Sequence, residues 1–99
     1  MVKTKPFDTV EYLDSPEIIA TYLTEVFESG DHILITKAIG AVARSQGMAA
    51  IAEKSGLSRE NLYRALNGET KPEFATVIKV LHALGIDLVA QPHSPSRAA

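Results

Sequence analysis

Within IAEKSGLSRENLYRALNG, residues 51–68, a glycine and a serine two positions apart interrupt an otherwise helix-forming run. No other feature of the chain constrains its fold as much. A glycine tolerates the positive φ that turns a chain out of a helix, and a serine hydroxyl caps the start of the next one. A single continuous helix would waste both signals, whereas two helices meeting at an angle use both. The packing positions follow from that arrangement. Ala52 is small enough to let the second helix approach, Gly56 turns the chain, and Leu57 fills the angle. Ser58 caps the second helix, while Ile51, Leu62, Ala65 and Leu66 complete a shared core.

Similar punctuation organises the rest of the chain. Ser15-Pro16 reads as an N-cap followed by proline at the first helical position. Ile18, Ile19, Tyr22, Leu23, Val26 and Phe27 follow at helical spacing until Gly30. Asp31 caps a second helix over 32–46 with Leu34, Ile35, Ala38, Ile39 and Val42 as its apolar stripe and Lys37 and Arg44 in its later part, and Gly47 breaks it. A third helix spans 48–55 and a fourth 58–66. Lys71-Pro72 opens a fifth, which runs to Leu84 with Phe74, Val77, Ile78, Leu81 and Leu84 inward and Gly85 as its stop. Ile86 to Ala90 alternates and is β-branched enough for a short C-terminal strand. The expected organisation is an N-terminal arm over 1–14, with Phe7, Val10, Tyr12 and Leu13 able to dock on a core, an all-α five-helix domain over 15–90, and a disordered tail over 91–99.

The 99 residues suit one domain with one modest core. There is no cysteine, which excludes disulfides and thiolate chemistry. Apolar runs are too short for a membrane span and the start has no apolar signal core, so a cytoplasmic location is expected. The net charge of −2 conceals an asymmetry. Residues 1–36 hold two Lys against seven Asp/Glu, a net of −5, and residues 37–99 hold eight Lys/Arg against five Asp/Glu, a net of +3. The acidic first helix, with Glu17, Glu25 and Glu28, reads either as a solvated face or as a docking surface for a basic protein.

Catalytic and metal chemistry find little support. His32, His82 and His93 lack ligand-spaced partners, so neither a metal site nor a cofactor is expected. Ser58 has no nearby histidine and no nucleophile-elbow pattern, and its capping role accounts for it. The glycines punctuate or pack helices and form no phosphate-cradling loop. The chain is not expected to be an enzyme.

With Leu62, Ala65 and Leu66 inward, Arg59, Glu60, Asn61, Tyr63 and Arg64 must point outward, with Asn67 at the exit. Such a face suits DNA: arginine pairs bidentately with guanine, asparagine with adenine, and tyrosine reaches a phosphate or a thymine methyl. Lys54 and Lys71 flank the helix where a DNA backbone would run. A polar outer face is also what any solvated helix pair presents, and the residues by themselves leave both readings open.

Residues 47–85, GMAAIAEKSGLSRENLYRALNGETKPEFATVIKVLHALG, resemble the Cro/lambda-repressor (Xre) type of helix-turn-helix domain. Over about residues 7–92, through FDTVEYLDSPEIIATYLTEVFESGD, ITKAIGAVARSQGM and LSRENLYRALNGETKPEFATVIKVLHALGIDLVAQP, the chain is similar to the bacterial addiction-module antidote proteins. That resemblance implies a lambda-repressor-like fold and a DNA-binding antitoxin. It implies a RelE/ParE-type toxin as partner, double-stranded operator DNA as target and repression of the chain's own operon. The DNA-contacting set is then Lys54, Ser58, Arg59, Glu60, Asn61, Tyr63, Arg64, Asn67 and Lys71. One departure stands out: where the family usually has polar residues after the glycine–methionine pair, this chain has Ala49 and Ala50. A stand-alone phage-type repressor and a protein-interaction adaptor that never meets DNA are the alternatives. A homodimer is expected, because a single unit reads few base pairs and the strand at 86–90 has an open edge for a second copy; the competing account is that the N-terminal arm around Phe7–Tyr12 pairs with that edge within one chain.

Overall fold

The structure is a computed structural model that describes residues 14–93. The expected N-terminal arm, with Phe7, Val10, Tyr12 and Leu13, lies outside the described residues apart from Asp14, as does the tail beyond His93. The described chain is all-helical: α1 is Pro16–Phe27, α2 His32–Gln46, α3 Met48–Ser55, α4 Arg59–Ala65 and α5 Phe74–Ala83.

The helix starts follow the capping signals. Ser15 Oγ accepts the N–H of Ile18 at 3.2 Å, and Pro16 occupies the first turn, where its missing donor costs nothing. Asp31 Oδ1 accepts the N–H groups of Ile33 and Leu34 at 3.0 and 3.2 Å. The single residue Gly47 ends α2 and begins α3, so these helices join with no intervening loop. At the far end of α5, Ile86 N–H reaches the Leu81 carbonyl at 2.8 Å and Gly85 N–H that of His82 at 2.9 Å. These are the two bonds of a Schellman stop, and the accompanying apolar residue, Ile86, is buried.

One core unites the helices. Ile19 and Leu23 of α1 meet Ala38, Ile39, Val42 and Ala43 of α2, Met48 and Ile51 of α3, Leu62 and Leu66 around α4, and Val80, Leu81 and Leu84 around α5. Each fully buried Leu or Ile of this set contributes about 1.5–3 kcal/mol by leaving water. α3 is the central piece, packed against α2, α4 and α5, while α1 covers α2.

The outcome departs from the sequence expectation in four places. α5 begins at Phe74, not at Lys71-Pro72. The chain up to that point is held in a turn: Asn67 Oδ1 accepts Glu69 N–H at 2.7 Å, and Thr70 Oγ1 donates to the Arg64 carbonyl at 2.9 Å. Lys71 precedes a proline and is thereby steered away from helical torsions. Phe74, expected inward, is 71% exposed, since as the first residue of α5 it sits more than a turn ahead of Val80, where full burial begins. Leu34 is exposed as well, because the first turn of α2 overhangs the core and its buried stripe starts further along. Finally, residues 86–90 are not a strand. A strand exists through a ladder of bonds to a neighbour, and among the described residues none pairs with this segment.

Candidate nucleic-acid interface

α3 and α4 meet through Gly56-Leu57-Ser58. Gly56 has φ +78 and donates its N–H to the Ala52 carbonyl at 2.9 Å, closing α3 in the left-handed region. The space around its would-be Cβ is open, so glycine is required there by torsion alone. Ser58 is extended and its Oγ accepts the Asn61 N–H at 3.0 Å, restarting the helix. Leu57 is half-buried against the core, as are Ala52 and Ala65, and Leu62 is 0% exposed. The expected division of α4 into an inner and an outer face therefore holds.

A close approach fixes how α4 is seated. A Cβ at Gly40 of α2 would stand 2.7 Å from the Leu66 carbonyl oxygen and 3.1 Å from its Cβ. Only a residue without a side chain lets the end of α4 lie against α2 at that distance. Gly68, just beyond, has the stem of Lys37 across it, with Cε and Cγ at 2.6 and 2.7 Å from the position a Cβ would take. The exposed Lys37 ammonium is thereby carried to the turn that follows α4.

Arg59, Glu60, Asn61, Tyr63, Arg64 and Asn67 are all exposed. Several are tied to one another. Arg64 Nη1 donates to Asn61 Oδ1 at 3.1 Å, and its Nη2 lies 3.5 Å from Glu60 Oε2. This pair is highly exposed and holds the guanidinium by no more than a few tenths of a kcal/mol, so it yields readily to a stronger acceptor. Asn67 is exposed and uses its side-chain oxygen in the turn after α4. Lys71 is exposed in the loop that Thr70 fastens to the last turn of α4.

Lys54 is placed differently. It lies in a shallow groove with Asp14, Ala50 and His82, between α3, the start of α1 and the end of α5. Lys37, which the sequence places in α2, is not among the residues expected to contact DNA. It lies 31 positions before Gly68, and no local pattern links the two. Ala49 and Ala50 are exposed at the start of α3, whose N-cap Gly47 supplies no side-chain bond, so that end offers backbone N–H groups only.

Among the described residues no group of His, Cys, Asp and Glu could hold a metal ion, and no helix is long and apolar enough to cross a membrane. His82 Nε2 lies 3.9 Å from Asp87 Oδ1, both well exposed.

Comparison with known proteins adds a family. Residues 3–92 match the family described as probable addiction module antidote proteins. A Haemophilus influenzae (strain ATCC 51907 / DSM 11121 / KW20 / Rd) protein described as uncharacterized is 45% identical over 87 residues, covering 88% of this chain and 90% of that protein. No solved structure matches the chain. With nearly the whole of its length inside the match, the chain belongs to the family of probable addiction module antidote proteins.

Proposed function

We propose that this antidote is the DNA-binding antitoxin of a type II toxin–antitoxin pair, acting in the cytoplasm. In this reading it neutralises a RelE/ParE-type toxin and represses its own operon. Its role is regulatory, with no catalytic step. The observation that carries DNA binding is the division of α4. Leu62 and Leu66 are buried, α2 approaches at Gly40, and Arg59, Asn61, Tyr63 and Arg64 stand together on the outer face. A helix held by its back and presenting arginine and asparagine at its front has the donor geometry that base edges in a major groove accept.

In this Xre-like helix-turn-helix, α4 enters the groove. Arg59 and Arg64 contact base edges or the adjoining phosphates, Asn61 leaves its local bond with Arg64 to do the same, and Tyr63 reaches backbone or a thymine methyl. Lys71 and Lys37 lie beside the exit of α4 and engage phosphates there. Glu60 selects against misplaced acceptors, and Asn67 offers its amide at the edge. Ser58 acts by holding the helix start, and Lys54 contributes only charge from the far side of α3. Two copies bind two half-sites about one helical turn, ~34 Å, apart.

The test is a fluorescence-anisotropy titration against the chain's own promoter. Arg59→Ala and Arg64→Ala are each expected to weaken binding by about 1–3 kcal/mol with the fold intact. If both bind like the wild type, α4 is not the reading helix. One observation favours an adaptor that does not bind DNA: methyl groups of Ala49 and Ala50 stand at the start of α3, where polar donors would grip a phosphate. That reading requires no promoter binding by the wild type at any salt concentration.

A further inference from the structure

We propose that the groove between α1 and residues 86–93 is the docking surface for the antidote's protein partner, and that it takes an apolar segment flanked by Lys or Arg. The inference rests on the antitoxin reading and assigns it a second face, separate from α4.

Three observations converge on this groove. Its floor is apolar: Leu23 and Phe27 of α1 face Ile86, Leu88 and Val89 across an opening of about 620 Å³. Leu88 is 44% and Val89 84% exposed, an unusual cost for apolar residues lying side by side. The second observation concerns the backbone. After the bond from Ile86 to Leu81, residues 87–91 form no backbone hydrogen bond among the described residues, and their N–H and C=O groups suit pairing with an added strand. The third is charge. From Asp14 to Thr36 the chain carries five acidic residues and no Lys or Arg, whereas residues 37–93 carry seven basic against five acidic. Glu17 and Glu25 stand on the exposed side of α1, and Asp87 lines the groove itself.

Charge also decides between occupants. A second copy placed symmetrically across this groove would bring the Asp87 that lines it towards the same residue of the first, beside two equally acidic first helices. Like charges across an interface suppress that pairing, and opposite charges favour it. The second-copy contact expected from the alternation at 86–90 therefore gives way here to a basic partner. An extended segment would bond to residues 87–91, set its apolar side chains on Phe27 and Leu88, and direct its basic ones to α1.

The experiment uses the full chain and the purified product of the adjacent reading frame. Hydrogen–deuterium exchange is followed with and without that protein, and affinities are measured for Asp87→Lys, Val89→Asp and, as a control, the double variant Arg59→Ala/Arg64→Ala. These positions are exposed, and circular dichroism confirms that each variant is folded. The expected result is slowed exchange at Leu88–Ala90 in the complex, roughly tenfold or greater weakening by Asp87→Lys and Val89→Asp, and no change in the control. A complex in which exchange at 86–91 and both affinities are unchanged overturns the groove and leaves the antitoxin reading standing. Protection of those amides already in the free chain, from a second copy or from the chain's own first residues, also overturns it. If the wild type forms no complex, the antitoxin reading fails and the groove assignment with it.

Discussion

α1 and α4 begin in the same way and end as different surfaces. Each follows an extended serine whose hydroxyl accepts a backbone N–H three residues on, Ser15 from Ile18 and Ser58 from Asn61. Each buries one side in the common core. α1 has 12 residues, an outward side with Glu17 and Glu25, and a neighbouring groove that leaves Leu88 and Val89 uncovered. α4 has seven residues, outward arginines and an asparagine, and a tight seat against α2. Capping chemistry thus says where a helix begins and nothing about what it meets. The outward residues carry that information: the acidic side repels a nucleic-acid backbone, and the arginine side attracts it.

The seating of α4 is the part of this contrast that should break most severely. Leu62→Ala removes a side chain with no exposure and is expected to cost about 2–5 kcal/mol. Ile18→Ala, on the 45% exposed side of α1, should cost less than about 1 kcal/mol. Denaturant unfolding of the two variants decides it, and equal midpoints would mean that α4 is no better anchored than the outer side of α1. Gly40→Ala comes next. Its new methyl would stand 2.7 Å from the Leu66 carbonyl, so α2 and α4 must part, at about 1–3 kcal/mol. In this variant promoter affinity should fall together with stability, whereas Arg59→Ala should lose affinity alone.

Gly56→Val tests a different requirement. There is open space around the site, and the cost is that of a β-branched residue at φ +78, about 1–2 kcal/mol or somewhat more. Thermal melts should place it clearly below Arg59→Ala; coincident curves would deny Gly56 its role in the turn. The smallest effects should come from the caps. Ser15→Ala and Ser58→Ala are each expected to lose about 1 kcal/mol, because the two serines make the same bond at similar length. A much larger loss at Ser58 would show that the start of α4 depends on more than its cap, and would sharpen the difference between the helices.

Much of the fold was legible because its signals are local. Ser15-Pro16, Asp31, Gly47, Gly56 with Ser58, and Gly85 act on groups within a few residues, and all do in the structure what their chemistry requires. The outward set on α4 was legible for a related reason: once Leu62 and Leu66 are buried, helical geometry leaves the others nowhere else to go. Periodicity was less reliable at helix ends. Leu34 and Phe74 keep the right spacing, yet both lie where their helices run past the core. The alternation at Ile86–Ala90 also misled, since alternation describes a strand's faces but does not supply a neighbour to bond.

The amino-acid sequence determined where helices start and stop, which side of α4 faces out, and how acid and base are divided along the chain. These depend on bonds and torsions within a turn or two of each residue. Tertiary structure alone decided that Gly40 sits under Leu66 and that Lys37 crosses Gly68. It also decided that Lys54 turns towards α1 and α5, and that Leu88 and Val89 border an open groove. Each of these joins or separates residues far apart in the chain. Their distances come from how the helices share one core, and no local spacing encodes them.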